Sequence, residues 1–251
     1  MRRRGIWLAV AVLLLLGGVV GAAIRRHGTP PSSVPDREPV FAESDAPFPS
    51  DSASDVVSFA DHVVLVTAVA EKEATPTATP TAPGTGDTTV ARDVTFRIDR
   101  SLWSHAKARE APARFTMRWW GWLVEGRKRT PIAVTGTPWV FVGGQYVVPI
   151  AYDGTSFSVL QPFAVFRYDR GTVTLEEQNS PLARRLDQAD AERVAVTFAD
   201  AVPDPVAEQH RDLTPRARLT AVLATRGGQS QPPAMSWLAR GPSGRGARRR
   251  G

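Results

Sequence analysis

Histidine and acidic side chains are the first candidates for chemistry in this sequence, because these groups hold zinc or act as general bases. The four histidines are His27, His62, His105 and His210. No two of them stand at His-x-x-x-His spacing, and none completes a Glu-x-x-His pattern. His62 lies at the start of a predicted strand and His105 in a predicted loop. The sequence therefore assigns no catalytic residue and no metal ligand.

Other patterns that carry chemistry do not occur in the sequence. The chain has no cysteine, which excludes a disulfide framework, a Cys-ligated zinc site and a cysteine nucleophile. It has no Gly-x-Ser-x-Gly, Walker or Rossmann glycine pattern. The acid pairs Glu176/Glu177 and Asp187/Asp190 are interpreted as solvated positions at a strand end and on a helix. We therefore expect no cofactor and no enzymatic activity. A hydrolase with a dispersed site stays an alternative, which a pocket joining acids with His62 or His105 would favour.

The stretch "RFTMRWWGWLVEGRKR", residues 114–129, combines tryptophan with positive charge and is the main binding candidate. Residues 119–122 hold three of the seven tryptophans, and residues 100–130 carry eight basic side chains against two acidic ones. Alternation predicts a strand with Phe115, Met117 and Trp119 facing inward and Thr116, Arg118, Trp120 and Trp122 facing outward. Exposed aromatics beside arginine stack on sugars or bases, dock a protein partner or lie at a lipid surface. The alternative is that these tryptophans pack beneath the C-terminal helices. The candidate binding residues are Arg118, Trp120, Trp122, Arg127 and Arg129.

The formal charge is unevenly distributed along the chain. Residues 1–27 and 213–251 contain basic residues and no acid, whereas residues 28–212 contain 18 basic residues against all 25 acidic ones. The predicted folded part is therefore acidic, and the excess positive charge belongs to the termini. This distribution argues against nucleic acid as the partner.

The N-terminus indicates the compartment. Ile6–Ile24 is a run of 19 residues without a charge, about the length that crosses a membrane as a helix. Two arginines follow at once, which favours an uncleaved signal-anchor over a cleaved signal peptide. By the positive-inside rule the N-terminus is cytoplasmic. Residues 1–27 are thus predicted to be a single transmembrane helix, with the domain extracytoplasmic, or secreted if the signal is cleaved.

Composition divides the remaining chain into segments. Residues 28–54, rich in Pro, Ser and Asp, are predicted to be a disordered linker, and residues 74–89, a Thr-Pro repeat, a mobile loop. Between and after them, strands are predicted in "DHVVLVTAVAEKE", "ARDVTFRIDR", "RFTMRWW" and "WVFVGGQYVVPIAY". The first of these strands is apolar on both faces. The last has a bulge or bend at its two glycines. Turns at Asp153-Gly154 and at residues 169–171 predict two hairpins.

Helical signals follow residue 179. Ser180-Pro181 and Thr214-Pro215 are typical helix starts, and apolar spacing continues through Val194, Phe198, Ala201 and Val202. We predict a β-barrel domain with following helices over residues 55–202, a short helical extension over 203–226 and a disordered basic tail over 227–251. The fold class is mainly β.

The order of these elements resembles the netrin-like fold, the OB-type barrel of tissue inhibitors of metalloproteinases. The resembling pieces, within about residues 55–200, are "VVSFADHVVLVTAVAE", "VTFRIDRSLWS", "RFTMRWW", "VGGQYVVPI", "PFAVFRYDRGTVTL" and "SPLARRL". The Gly-x-Tyr in the fourth piece is similar to the Gly-Glu-x-Tyr of that class. The resemblance implies an OB-like (netrin-like) small β-barrel with C-terminal helices. It implies no inhibition of proteases, since those inhibitors bind zinc through an N-terminal cysteine and this chain has none.

These observations predict a membrane-anchored extracytoplasmic binding module without enzymatic activity. Its partners are expected to be the membrane, through the N-terminal helix, and a cell-envelope protein or glycan. Two alternatives stay open: an OB-type nucleic-acid-binding protein, which the aromatic and basic strand favours, and the dispersed-site hydrolase.

Overall fold

The computed structural model describes residues 40–42, 48–74, 88–175 and 180–227. The predicted transmembrane helix over residues 1–27 lies outside these residues, as do most of the Thr-Pro stretch and the basic tail after Gly227. Within the described residues, no helix is long and apolar enough to cross a membrane.

Nine strands of the described residues form one curled half-barrel sheet, and helices follow it in the chain. The spatial order is β1-β5-β4-β3-β2-β6-β8-β9, with β7 paired to β6. All pairings are antiparallel except that of β1 with β5. The predicted fold class, mainly β with C-terminal helices, is confirmed. The strands are β1 (Val40–Ala42), β2 (His62–Glu73), β3 (Thr88–Ser104), β4 (Arg114–Glu125), β5 (Lys128–Val134), β6 (Gln145–Tyr152), β7 (Phe157–Val159), β8 (Phe166–Asp169) and β9 (Thr172–Thr174).

Strand β2 lies at the centre of the fold, and both of its faces are covered. Val63 and Leu65 belong to one apolar cluster, which the helices complete. Val64 and Val66, of the opposite parity, belong to a second cluster with Phe96 of β3. A fully buried side chain of this size contributes about 1.5–3 kcal/mol. The prediction of a strand apolar on both faces is therefore confirmed.

The β2–β3 ladder changes register three times, between Val63/Val64, Leu65/Val66 and Ala68/Ala70. Each shift adds a local twist and bend to the pair, because one strand carries an extra residue there. The shifts curl two long strands and bring His62, the first residue of β2, directly opposite Ser104, the last residue of β3.

Strand β4 contains a further bulge, at Gly121. Arg92 of β3 pairs with Trp119 and Val90 pairs with Trp122, so β4 has one more residue than β3 in this interval. A Cβ atom at Gly121 would lie 2.0 Å from the carbonyl oxygen of Val90, so only glycine fits. Beyond the bulge, β4 continues into a hairpin with β5, a strand that the sequence analysis did not predict.

The predicted strand over "WVFVGGQYVVPIAY" is wrong in its first half. Strand β6 begins at Gln145, and the two glycines before it form a turn in which Gly143 has a φ of +90°. The hydroxyl of Tyr146 accepts a hydrogen bond from the Phe141 amide at 3.0 Å, which holds the preceding chain away from the ladder.

The described helices are α1 (Ala53–Phe59), α2 (Pro181–Leu186), α3 (Ala191–Ala199), α4 (Pro205–Gln209) and α5 (Pro215–Thr225). The predicted starts are confirmed, since Ser180 and Thr214 cap α2 and α5 with Pro at the first helical position. The continuous apolar spacing to Val202 is wrong: α3 ends at Ala199, and Val202 is 74 % exposed.

The linker predicted over residues 28–54 differs from the structure at its C-terminal end. Phe48 is buried against Phe59, with ring centres 5.6 Å apart. Ser52 forms a capping box with Asp55 at the start of α1. Residues 40–42 pair with β5 as β1. Two short apolar segments within a polar region therefore add to the folded domain.

Candidate functional site

The predicted tryptophan and arginine strand is an ion-paired part of the sheet. Arg118 pairs with Asp93 at 3.4 Å and Arg129 with Glu73 at 3.1 Å. Lys128 likewise pairs with Glu125 at 3.4 Å. Arg127 is exposed in the turn between β4 and β5. The carboxylates of neighbouring strands therefore neutralise much of the positive charge that the sequence concentrates here.

The prediction that Trp122 lies on the face opposite Trp119 is wrong, and the bulge at Gly121 is the reason. Trp122 pairs with Val90, which lies two residues from Arg92 and so on the same face as Arg92 and Trp119. Trp120 is half-buried and packs against the cluster that contains Phe96. Trp122 is also half-buried, with the Arg129 guanidinium 5.8 Å from its ring centre.

Arg92 lies wholly inside the protein at this end of the sheet. Its Nη1 pairs with Glu71, its Nε donates to the Trp120 carbonyl at 2.6 Å, and its guanidinium lies 4.0 Å from the Trp139 ring centre. Burial lowers the pKa of Arg92, and the Glu71 carboxylate opposes that shift. The aromatic ring beside this buried charge is that of Trp139, whereas Trp120, a predicted binding residue, contributes its backbone carbonyl.

A cleft of about 410 Å³ opens at the other end of β3, beneath the loop that joins β3 to β4. His62 of β2, together with Ser101 and Ser104 of β3, forms its polar wall, while its apolar lining comes from Ile98 and the loop. The remaining lining residues are His105, Ala108, Arg109, Glu110, Ala111, Pro112 and Ala113. His62 and His105, the two histidines of the hydrolase alternative, therefore meet in one cleft, and none of the predicted binding residues lines it.

Hydrogen bonds fix the orientation of His62, which is only 4 % exposed. Its Nε2 lies 2.8 Å from the Arg109 carbonyl oxygen, and its Nδ1 lies 2.8 Å from the Ser104 Oγ. A carbonyl oxygen only accepts, so Nε2 carries the hydrogen. In the neutral imidazole Nδ1 is then the acceptor, and Ser104 donates its hydroxyl hydrogen to it.

Ser101 completes the arrangement of hydroxyl groups. Its Oγ lies 2.9 Å from the Ser104 Oγ. Because the single hydroxyl hydrogen of Ser104 is directed to His62, Ser101 is the donor in this contact. Both serines are exposed, so the chain of hydrogen bonds runs from the open cleft to a buried imidazole.

Aromatic side chains form the wall behind His62. The ring centre of Phe157 lies 5.6 Å from that of His62 and 5.5 Å from that of Tyr152. The guanidinium of Arg109 lies 4.5 Å from the Tyr152 ring centre. This stacking positions the same residue whose carbonyl holds His62.

A polar cluster lies next to the cleft and is composed of buried Asp61, Arg211 and Arg218 with half-buried His105 and Glu208. Arg218 pairs with Asp61 at 3.3 Å, and the His105 Nε2 lies 3.1 Å from a Glu208 carboxylate oxygen. The Arg211 Nε lies 3.9 Å from the other Glu208 oxygen. The His105 amide donates to the Asp61 carbonyl at 2.9 Å, which joins the cluster to the loop over the cleft.

The charges of this cluster shift each other's pKa. Burial and the positive charge of Arg218 lower the pKa of Arg211 to about 10, which still leaves it protonated at neutral pH. Burial and Arg211 lower the pKa of His105, while Glu208 opposes the change. We therefore expect a neutral His105 in the folded protein at neutral pH.

The two arginines of the cluster also cap the C-terminal end of α1. Arg211 donates to the carbonyls of Val57 and Ser58, each at 2.9 Å, and Arg218 donates to Ser58 at 3.4 Å. These carbonyls lie in the last turn of the helix, where such groups have no partner within the helix and the dipole favours a cation. The segment that contains α4 and α5 is thereby attached to α1, the helix that precedes β2.

No group of three or more His, Asp or Glu side chains in the described ranges is arranged to hold a metal ion. The cleft offers hydroxyl groups, one imidazole acceptor and charged rim residues, which is an arrangement for hydrogen bonding and proton transfer.

Neither a protein-family model, nor a curated protein, nor a solved structure matches the chain.

Proposed function

We propose that the protein is a membrane-anchored extracytoplasmic binding module whose ligand, a glycan or peptide of the cell envelope, occupies the cleft at His62. The apolar run Ile6–Ile24 with its flanking arginines supports the anchor. The curled half-barrel followed by helices supports an OB-like, netrin-like architecture for the domain.

The observation that carries the proposal is the cleft itself. Ligand sites are concave, mostly apolar and supplied with a few fixed polar groups. Ile98, Ala111 and Pro112 provide apolar surface, and Ser101 and Ser104 provide hydroxyl groups on a rigid strand end. The polar cluster is joined to this end of the sheet by the His105 amide, which donates to the Asp61 carbonyl.

The tryptophan and arginine strand is the second candidate surface for an envelope partner. Trp122 and Arg129 are the pair that a sugar ring could contact, because they lie at the β4–β5 hairpin with the guanidinium beside the indole. The ion pairs of Arg118 and Arg129 with acids reduce the charge available to phosphates, which counts against the nucleic-acid alternative.

Calorimetric titration of the full chain in detergent with peptidoglycan fragments and envelope polysaccharides tests the proposal. Ala111→Trp places a large side chain in the cleft, and we expect it to weaken binding at least tenfold. Thr155→Trp, in an exposed turn outside the cleft, is the matched control and should bind as the wild type does.

Trp122→Ala combined with Arg129→Ala distinguishes the two surfaces. If this variant loses binding while Ala111→Trp retains it, the ligand lies on the strand and the cleft assignment is wrong. Absence of binding by the wild type to every envelope fraction overturns the proposed function.

A further inference from the structure

We infer that Ser104 is an activated nucleophile with His62 as its general base, and that the cleft accepts an ester with a short acyl group. This inference rests on the proposed cleft and adds acyl-transfer chemistry to it. Three observations carry it: the 2.8 Å contact between the His62 Nδ1 and the Ser104 Oγ, the second contact that orients the imidazole, and the exposed serine.

The direction of the hydrogen bonds gives Ser104 the arrangement that nucleophilic catalysis needs. A weak hydroxyl nucleophile is activated when a neighbouring base accepts its proton and a third group orients that base. Here the His62 Nδ1 lies 2.8 Å from the Ser104 Oγ, and the Arg109 carbonyl holds the opposite ring nitrogen at 2.8 Å. The backbone carbonyl thus takes the orienting role that a carboxylate has in a triad.

The contrast in exposure between the two side chains fits this role. His62 is buried and its ring lies 5.6 Å from that of Phe157, so bulk water does not compete for its Nδ1. Ser104 is exposed in the cleft, and the incoming hydrogen bond from Ser101 leaves the Ser104 hydrogen directed at the imidazole. If His62 and Ser104 only satisfied each other's polar atoms, Ser104 would not need to lie in an open cleft.

The proposed step balances in atoms and protons. The Ser104 Oγ forms a bond to the acyl carbon of the ester, and its proton passes to the His62 Nδ1. The bond from the acyl carbon to the alkoxy oxygen breaks, and the alcohol leaves with the proton from His62. Water then attacks the acyl-serine and passes a proton to His62, and the serine oxygen recovers it as the acid departs. The net change is ester plus water to acid plus alcohol.

The lining of the cleft limits the acyl group. The apolar part of its wall consists of Ile98, Ala108, Ala111, Pro112 and Ala113, all of which except Ile98 are small. A cleft of about 410 Å³ lies near the lower end of the range for small-molecule sites, so it suits a short acyl group better than a long chain.

Covalent labelling of the full chain by a fluorophosphonate tests the nucleophile directly. Trypsin releases residues 101–107 as "SLWSHAK", which contains both serines, and fragmentation of this peptide assigns the label to one of them. We expect the label on Ser104 and hydrolysis of p-nitrophenyl acetate in preference to p-nitrophenyl laurate. Ser104→Ala should abolish both. Ser156→Ala, in an exposed turn outside the cleft, is the control and should change neither.

The role of His62 is tested with variants that distinguish an effect on the reaction from an effect on folding. His62→Gln should lower the labelling rate at Ser104 by a factor on the order of 100, the lower range for a lost general base. Because His62 is buried, a second comparison leaves it in place. The thiol of Ser104→Cys should react with iodoacetamide at least tenfold faster than that of Ser101→Cys, since His62 takes its proton.

Each outcome decides one of the two proposals. Label on Ser101 or on no serine, or equal reactivity of the two thiols, overturns the inference. If envelope ligands still bind in a way that Ala111→Trp weakens, the binding function stands without the chemistry. If wild-type binding is also absent, both proposals fail.

Discussion

Arg211 and Arg218 each connect two parts of the molecule through one guanidinium. Each donates to a carbonyl at the end of α1 and lies beside an acid that comes from the barrel or from α4. Removing one partner of such a buried group leaves the others uncompensated, which typically costs 3–5 kcal/mol. At the residue scale, these two arginines therefore join α1 to the chain around α4, α5 and the start of β2.

Arg218→Met tests how much the polar cluster contributes to the free energy of unfolding. We expect the free energy of unfolding to fall by about 3 kcal/mol or more, because the Asp61 carboxylate and the Ser58 carbonyl lose a donor. Arg216→Met, on the exposed side of the same helix, should stay within about 0.5 kcal/mol of the wild type. Urea unfolding followed by circular dichroism measures both. Equal effects of the two substitutions would contradict a role for the polar cluster in stability.

His105 gives the stability of the domain a dependence on pH. Burial and Arg211 lower its pKa, so the unfolded chain binds a proton that the folded protein resists. This contribution to stability is complete above the ordinary histidine pKa of about 6.5 and is lost as the pH falls from there towards the lowered value. His105→Gln should flatten the decline in melting temperature between about pH 7 and pH 5. An unchanged slope in this variant would mean that other groups cause the decline.

At the scale of single elements, one glycine in β4 changes the face of the sheet on which the later side chains of the strand lie. Before Gly121, alternation holds and Phe115 and Trp119 face the core. After it, the extra residue moves Trp122 to the face of Trp119. If the alternation is continued past a bulge that the sequence does not reveal, every later side chain of the strand is assigned to the wrong face.

Gly121→Ala should therefore destabilise the protein strongly for so small a change. The added Cβ meets the Val90 carbonyl, so the backbone must move, and we expect a loss of about 3 kcal/mol. Gly126→Ala is the matched control in the β4–β5 turn, where no atom lies near and the positive φ costs about 1 kcal/mol. Thermal unfolding distinguishes the two. A smaller loss at Gly121 than at Gly126 would show that the bulge does not require glycine.

At the scale of the whole molecule, the proposed function depends on the predicted membrane topology of the chain. The apolar N-terminal run predicts a domain outside the cytoplasm. A C-terminal alkaline phosphatase fusion should be active and a C-terminal green fluorescent protein fusion should stay dark when each is exported in a bacterial host. The opposite pair of results would place the cleft in the cytoplasm and remove the cell envelope as the source of its ligand.

The sequence by itself determined the mainly β class, the two-faced β2, the hairpins that follow β6 and β8, and the helix starts at Ser180-Pro181 and Thr214-Pro215, because each follows from local periodicity or from the geometry of a few neighbouring residues. The register of β2 on β3 depended on the tertiary structure. Counting back from the observed pair Glu73–Arg92 at constant register would place Trp103 opposite His62, whereas the net effect of three bulges places Ser104 there. The cleft and its pair of hydrogen-bonded side chains exist because of that one-residue difference. The positions of bulges depend on how both faces of a sheet pack, and residues far apart in the chain determine that packing.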